Sequence, residues 1–165
     1  MGLNPASPLA ALINAPVRPG RVEWIGLRPR RHDAILPVET ALLDAREGLV
    51  GDHYKSATTG SRHVTLIGLE DLAAIAAYLG RNQVTPDDLR RNIVISGLNL
   101  LALKDKRFAL GHAVLEMTGE CHPCSRMEET FGVGGYNAVR GHGGITARVL
   151  QDGEVRLGDA LSVIA

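Results

Sequence analysis

Residues 107–124, RFALGHAVLEMTGECHPC, contain the features that decide the fold class. Two short runs within them, RFALG and HAVLEMTG, have the length and the apolar content typical of strands. The preceding run NLLAL is interpreted as a further strand, separated from RFALG by the charged turn KDK. HAVLEMTG leads into a turn that holds both cysteines of the chain, Cys121 and Cys124. We therefore expect successive strands with a pair of thiols at the end of one of them.

Strand-like runs also dominate the rest of the chain. RVEWIGLRP begins at Arg21, and ETALLDARE, SRHVTLIG and NIVIS have a similar character. The tail GGITARVLQDGEVRLGDALSVIA predicts a β-hairpin, because Asp152-Gly153 is a strong signal for a two-residue turn. Short strands outnumber helices, so we predict a mainly β fold with a few helices, built as a closed, barrel-like single domain.

Three segments predict helices. LEDLAAIAAYLG repeats its apolar residues with helical spacing and ends at Gly80, a suitable residue just beyond a helix. TPDD at 85–88 is a helix-start pattern, and the short helix that it predicts brings residues 90–92 to the beginning of NIVIS. SRMEETF predicts a short helix immediately after Cys124.

The length of 165 residues suits one domain that needs neither metal nor disulfides to fold. Residues 1–20 contain four of the eight prolines and predict an irregular N-terminal arm. The domain itself is expected to comprise residues 21–165.

The composition argues against two classes of partner. Lys plus Arg number 18 and Asp plus Glu number 18, so no global positive charge attracts nucleic acid. No run approaches the roughly 20 apolar residues that span a membrane, and the first residues lack the basic start of a secretion signal. Two cysteines do not make the disulfide framework of a small secreted domain, so we expect a cytoplasmic protein.

The cysteine pair leaves several kinds of chemistry open. A cysteine reacts or binds metal as its thiolate, which neighbouring groups must stabilise at neutral pH. Disulfide exchange of the thioredoxin type needs the pair at a helix start within a βαβ unit, and the order of elements here does not match that. Structural zinc needs four ligands, and neither a second CxxC nor a regular histidine spacing supplies the other two, so zinc is disfavoured.

Further candidate residues lie in connecting segments. The glycine-rich FGVGGYNAVRGHGG lacks the features of a phosphate-binding loop and is interpreted as an irregular connection with left-handed turns. Arg91 is interpreted as part of a solvated helix end. Asn92 begins an apolar strand, where an amide side chain needs hydrogen-bond partners. His53, in the sequence GDH, is either a turn residue or a functional group.

Together these motifs resemble the MOSC domain, named for the C-terminal part of molybdenum cofactor sulfurase. The resemblance runs from about Arg21 to Ala165. It is carried by EGLVGDHY, HVTLI, DDLRRNIVISGLNL, RFALGHAVLEMTGECHPC and GGITARVLQDGEVRLGD in this order. It implies a β-rich, barrel-like fold with an essential cysteine in a pocket.

The resemblance also implies roles for particular residues. Cys124 matches the family cysteine, which ligates molybdenum in cofactor-binding relatives and has been proposed to handle sulfur in the sulfurases. Arg90 and Asn92 match an Arg-x-Asn of the related amidoxime-reducing proteins and are expected to contact the cofactor, with His53 as a further candidate contact. Those relatives have an additional N-terminal domain, for which the arm here is no substitute. Cys121 is an extra sulfur, able to resolve an oxidised or persulfidated Cys124.

We therefore expect a protein that binds the molybdenum cofactor through Cys124 and reduces N-hydroxylated small molecules with electrons from a donor protein. One alternative is sulfur transfer through a Cys124 persulfide that is formed by a sulfur-donor protein. Another is a non-enzymatic module whose cysteine pair switches between dithiol and disulfide. Open strand edges are compatible with a homo-oligomer.

Overall fold

The computed structural model describes residues 2–53 and 62–164. The α-helices in this part of the chain are Pro8–Ile13 (α1), Leu69–Leu79 (α2), Arg126–Phe131 (α3) and Gly135–Val139 (α4). The strands are Gly20–Leu27 (β1), Leu36–Val38 (β2), Thr40–Asp44 (β3), Gly48–Leu49 (β4), Val64–Gly68 (β5), Ile93–Ser96 (β6), Arg107–Leu110 (β7), Ala113–Glu120 (β8), Ile145–Gln151 (β9), Gly153–Arg156 (β10) and Ala160–Val163 (β11).

Seven of the described strands close into a barrel. Their order is β11-β7-β8-β9-β5-β6-β1, and β1 returns to β11 by pairing Gly20 with Leu161 and Arg21 with Ala160. β5 and β6 are parallel, because the chain crosses over between them through α2. The predicted mainly β, closed barrel is confirmed.

Side chains alternate between two apolar clusters along the barrel strands. Leu66, Ile93 and Phe108 are fully buried in the cluster inside the barrel. Ile67 and Val94, their neighbours in β5 and β6, belong instead to an outer cluster with the apolar residues of α2, α3 and α4. Burying one such side chain contributes about 1.5–3 kcal/mol, so the outer cluster anchors these helices against the barrel wall.

The predicted hairpin at Asp152-Gly153 is wrong. β9 pairs with β8 and β5 in the barrel, whereas β10 pairs with β3 in a separate sheet that also contains β4. Asp152 accepts a hydrogen bond from the N–H of Ala45 (2.6 Å). A Cβ on Gly153 would lie 2.3 Å from the carbonyl carbon of His112, so the backbones approach closely here. These contacts direct the chain out of the barrel and into the second sheet.

The predictions for two helices are confirmed. α2 covers the apolar periodic segment and ends at Gly80, whose φ of 67° is left-handed. α3 begins two residues after Cys124. Among the helices of the described residues, none is long and apolar enough to cross a membrane.

Three local predictions are wrong. NLLAL forms a 3₁₀ helix, Leu100–Leu103, because the side chain of Asn99 accepts a hydrogen bond from the N–H of Leu101 (3.1 Å) and caps it. The N-terminal arm, predicted to be irregular, contains α1. The side chain of Ser7 caps this helix by accepting a hydrogen bond from the N–H of Ala10 (3.1 Å). The TPDD segment makes the expected reciprocal capping bonds, but residues 86–90 remain a turn that ends where Arg90 has a φ of 60°.

Candidate functional site

The cysteine turn, residues 121–124, joins the end of β8 to the start of α3. The carbonyl of Cys124 accepts a hydrogen bond from the N–H of Met127 in the first turn of α3 (3.0 Å). Both cysteines are free thiols. Cys121 is only 6% exposed, whereas Cys124 is exposed. Cys124 is therefore the thiol that a metal, a substrate or a donor protein can reach.

The glycine segment, residues 141–144, packs against the cysteine turn. The N–H of Cys121 donates to the carbonyl of Gly144 (2.8 Å). A Cβ on Gly143 would lie 2.1 Å from the carbonyl oxygen of Cys121, so this close approach requires glycine. The connection predicted as irregular is partly helical, since α4 precedes the glycine segment, but its left-handed turns are confirmed.

Arg91 is bonded to the glycine segment on the side that faces the cysteine turn. Its side chain is half-buried, and its Nε donates to the carbonyl of Gly143 (2.7 Å) while Nη1 donates to the carbonyl of Leu89 (2.5 Å). A Cβ on Gly143 would lie 3.5 Å from Nη2, so the guanidinium lies on the same side of Gly143 as Cys121. The interpretation of Arg91 as a solvated helix end is therefore wrong.

The two thiols share the electrostatic field of Arg91. Burial raises the pKa of the Cys121 thiol, and the positive charges of Arg91 and Arg62 oppose that rise. Burial likewise lowers the pKa of Arg91, and Cys121 and Cys124 both oppose that change. A cation thus lies within electrostatic reach of both sulfurs, one of which is buried and the other exposed.

Asn92 is the centre of a buried hydrogen-bond network. It is 8% exposed. Its Oδ1 accepts hydrogen bonds from the N–H (3.3 Å) and the hydroxyl (3.1 Å) of Thr65. Its Nδ2 donates to the carbonyl of Gly26 (3.3 Å) and to Oδ1 of Asp52 (3.2 Å). The expectation that this amide needs partners is confirmed, while its contact with a cofactor stays a prediction.

His53 adjoins this network through Asp52. Oδ1 of Asp52 also accepts a hydrogen bond from the N–H of Arg28 (2.8 Å), whose carbonyl accepts one from the N–H of His53 (2.6 Å). Within the part of the chain that the structure describes, Nδ1 of His53 is buried and makes no hydrogen bond. A buried polar atom of this kind calls for a partner, so His53 remains a candidate contact for a ligand.

Arg90 is exposed next to the buried Arg28. Burial is the main cause that lowers the pKa of Arg28, and the positive charges of Arg90 and Arg126 act in the same direction, against nearby carboxylates. We call Arg28, Arg90 and Arg126 the arginine rim. Arg126 follows Cys124 by two residues, so the arginine rim extends from the network around Asn92 to the cysteine turn.

The structure thus arranges the predicted site residues in two groups. Cys121 and Cys124 are in the first, and Asn92 and His53 are in the second, which Arg90 flanks. Sequence analysis missed or dismissed several residues of both groups, namely Arg28, Asp52, Arg62, Arg91 and His142. The GDH sequence was a signal for Asp52, but the others stand in no spaced motif, and the bonds that tie Arg91 and His142 to the site reach residues far along the chain.

Two cavities border the glycine segment. A recess of about 30 Å³ lies between Cys121, Asp71 and Gly143. A cavity of about 450 Å³ is lined by Asp71 as well and also by His142. A larger apolar groove of about 670 Å³ runs along α2 beside Trp24, and neither cysteine lines it. Of these three spaces, the recess of about 30 Å³ adjoins the cysteine turn, whereas neither cysteine lines the other two.

The family model of the MOSC domain matches residues 48–162, which include the cysteine turn, Asn92 and His53. The chain belongs to the MOSC domain family. The predicted resemblance is thereby confirmed, and MOSC domains are generally linked to binding of the molybdenum cofactor. The barrel of this MOSC domain also uses β1, which precedes the matched span. None of the curated proteins matches the chain.

Solved structures share this fold at low sequence identity. The YuaD protein of Bacillus subtilis is 19% identical, with a TM-score of 0.78 over 88% of this chain and 96% of that one. YiiM of Geobacillus stearothermophilus is 18% identical, with a TM-score of 0.71 over 89% and 76% of the two chains. YiiM of Escherichia coli is also 18% identical, with a TM-score of 0.66 over 88% and 70%. At these identities the likeness concerns the fold alone.

The MOSC domain offers a metal one exposed thiol and not a complete set of protein ligands. In residues 2–53 and 62–164, no three or more His, Cys, Asp or Glu side chains gather into a metal-binding group. A metal on Cys124 would therefore take its other ligands from a cofactor, and thiolate is a soft ligand that suits molybdenum. The cofactor carries a phosphate, for which guanidinium groups of the rim are suitable partners. These residues fit the cofactor.

Proposed function

We propose that this MOSC domain binds the molybdenum cofactor with Cys124 as thiolate ligand and reduces N-hydroxylated small molecules. The observation that carries the proposal is the exposed thiol of Cys124, within electrostatic reach of a half-buried guanidinium, in a family linked to this cofactor. When bound, the cofactor would supply the two-electron chemistry that breaks an N–O bond, with uptake of two protons and release of water.

We assign separate tasks to the residues of the site. Cys124 holds the metal, and Arg91 provides positive charge near its thiolate. Arg90 binds the oxygen-rich periphery of the cofactor, since a guanidinium grips phosphate in a fork geometry. Asn92 orients the segment of His53, whose free Nδ1 would bond to the cofactor or the substrate.

The proposal also requires partners. The substrate is a small molecule, and the electrons come from a donor protein that reaches the exposed side of the cysteine turn. We further propose that the protein works in the cytoplasm, where the two free thiols remain reduced.

Turnover by matched variants tests this proposal. The protein would be purified from cells that make the cofactor and supplied with a chemical reductant and an N-hydroxylated compound. Formation of the amine should be lost in Cys124→Ala and kept in Cys121→Ala, because only Cys124 is exposed. Amine formation by Cys124→Ala at the wild-type rate would overturn the assignment.

Sulfur transfer is the second candidate, and the buried Cys121 three residues before Cys124 favours it. The Cys124 thiolate would attack the outer sulfur of a persulfide on a donor protein, whose S–S bond breaks as the donor thiolate leaves. Attack of the Cys121 thiolate on the Cys124 sulfur would then release hydrosulfide and form a disulfide. Intact mass after incubation with a persulfide donor should show one added, reducible sulfur in Cys121→Ala, which cannot release it, and none in Cys124→Ala.

A non-enzymatic thiol switch is the remaining alternative. Its support is that the same two thiols lie in one short turn and are both free. It requires that the pair become oxidised within the range of cellular potentials, roughly −180 to −320 mV. A pair that stays reduced over this range would exclude it.

A further inference from the structure

His142, in the glycine segment, is bound to α2. Its Nδ1–H donates a hydrogen bond to Oδ1 of the Asp71 carboxylate (2.8 Å). The ring of His142 also contacts the ring of Tyr78, with centroids 5.6 Å apart. His142 and Asp71 are both half-buried, and both line the cavity of about 450 Å³.

The N–H of His142 donates to the carbonyl of Val139 (2.7 Å), and three further hydrogen bonds hold the glycine segment to other parts of the site. At one point His142 is bound to Asp71. At the second, the carbonyl of Gly143 accepts the hydrogen bond from Nε of Arg91 (2.7 Å). At the third, the carbonyl of Gly144 accepts the hydrogen bond from the N–H of Cys121 (2.8 Å). The acceptor for Arg91 is thus the residue next to His142.

We propose that His142 is a positioning residue that, through its bond to Asp71, fixes the glycine segment and so holds the Arg91 guanidinium beside the cysteine turn. This role rests on the proposed function of the turn. The recess between Asp71, Gly143 and Cys121 leaves room for the segment to shift when the bond is lost. Arg91 would then lose a carbonyl acceptor, and a half-buried guanidinium with fewer hydrogen bonds turns toward water.

The consequence concerns Cys121, because Arg91 is the leading charge that opposes the effect of burial on its pKa. If Arg91 moves away, the pKa of Cys121 rises further and less thiolate is present at neutral pH. A merely loosened structure would have a different effect, since it would expose Cys121 and increase its reaction rate at every pH. The two effects are separable by a pH profile.

The test measures alkylation of Cys121 by iodoacetamide from pH 7 to 11, so that the limiting rate is approached, in cofactor-free protein in a Cys124→Ser background. The readout is the rate at pH 7.5 divided by the limiting rate at high pH. We expect this ratio to fall about tenfold in His142→Ala, because the pKa of Cys121 rises when Arg91 moves away. His142→Asn, whose amide can still donate to Asp71, should restore most of the ratio. Tyr78→Leu, which keeps the bond to Asp71, is the control and should leave it unchanged.

Arg91→Leu decides whether His142 acts through Arg91. This change should lower the ratio by itself, and His142→Ala should lower it no further when the two are combined. An unchanged ratio in His142→Ala, or a further tenfold fall in the combined variant, would overturn the proposal. Since no metal is used, these outcomes are independent of whether Cys124 binds molybdenum.

Discussion

Replacing Asn92 by alanine tests how the second group of site residues is held together. The change removes four described hydrogen bonds, two from Thr65 to Oδ1 and two from Nδ2 to Gly26 and Asp52. A hydrogen bond contributes about 0.5–1.5 kcal/mol net, and at 3.1–3.3 Å these belong to the lower half of that range. We expect a loss of about 3 kcal/mol in the free energy of unfolding, or about 6–12 °C in Tm.

Urea unfolding followed by the fluorescence of Trp24, the one tryptophan in the sequence, measures this loss. Asn82→Ala is the control, because Asn82 is exposed and its replacement should change stability by less than about 0.5 kcal/mol. Thr65→Val removes the hydroxyl from the same network and should cost about 1 kcal/mol. A loss below about 1 kcal/mol in Asn92→Ala would refute the structural role and leave cofactor contact as the main task of Asn92.

Three further predictions concern pH and packing. His63 is 4% exposed, and its Nδ1 accepts a hydrogen bond from the N–H of Val149 (3.1 Å). Burial is the main cause that lowers the pKa of His63. Its contribution to stability is therefore complete above about pH 6.5 and is lost as the pH falls, by at most about 1.4 kcal/mol per pH unit. Urea melts between pH 7 and 5 should give a smaller slope for His63→Gln, and an equal slope would contradict this. Gly143→Ala should lower the free energy of unfolding by about 1–3 kcal/mol, because its Cβ would overlap the carbonyl oxygen of Cys121. Gly2→Ala is the control, because the space around Gly2 is open. Equal melting temperatures of the two variants would argue against the close contact. Asp152→Ala should cost about 1 kcal/mol through loss of the bond to Ala45, and an unchanged Tm would show that other contacts direct the chain into the second sheet.

The barrel and α2 were predictable from the sequence because their signals are local and periodic. The apolar spacing of LEDLAAIAAYLG indicates a helix wherever the segment lies, and HAVLEMTG is long enough to favour a strand. NLLAL is too short for its apolar spacing to distinguish a helix from a strand. The cap from Asn99 favours the 3₁₀ helix that forms there. The turn signal of Asp152-Gly153 was real, but the choice of strand partner depended on Ala45 and His112, which are distant in sequence.

The site was predictable only in part, for a similar reason. Cys124 and Asn92 stand in motifs with recognisable order, and the need of Asn92 for partners follows from its place in an apolar strand. The importance of Arg91 depends on the carbonyl of Gly143, which lies more than fifty residues further on, and no local pattern marks that contact. The same holds for His142 and its bond to Asp71.

Molybdenum content is the most direct test of the central claim that Cys124 is the metal ligand. The wild type, Cys124→Ala and Cys121→Ala would be purified from cells that make the cofactor, and molybdenum and zinc per chain measured by elemental mass spectrometry. We expect nearly one molybdenum per chain in the wild type and in Cys121→Ala, and almost none in Cys124→Ala. Molybdenum retained by Cys124→Ala, or zinc in its place in the wild type, would contradict the account.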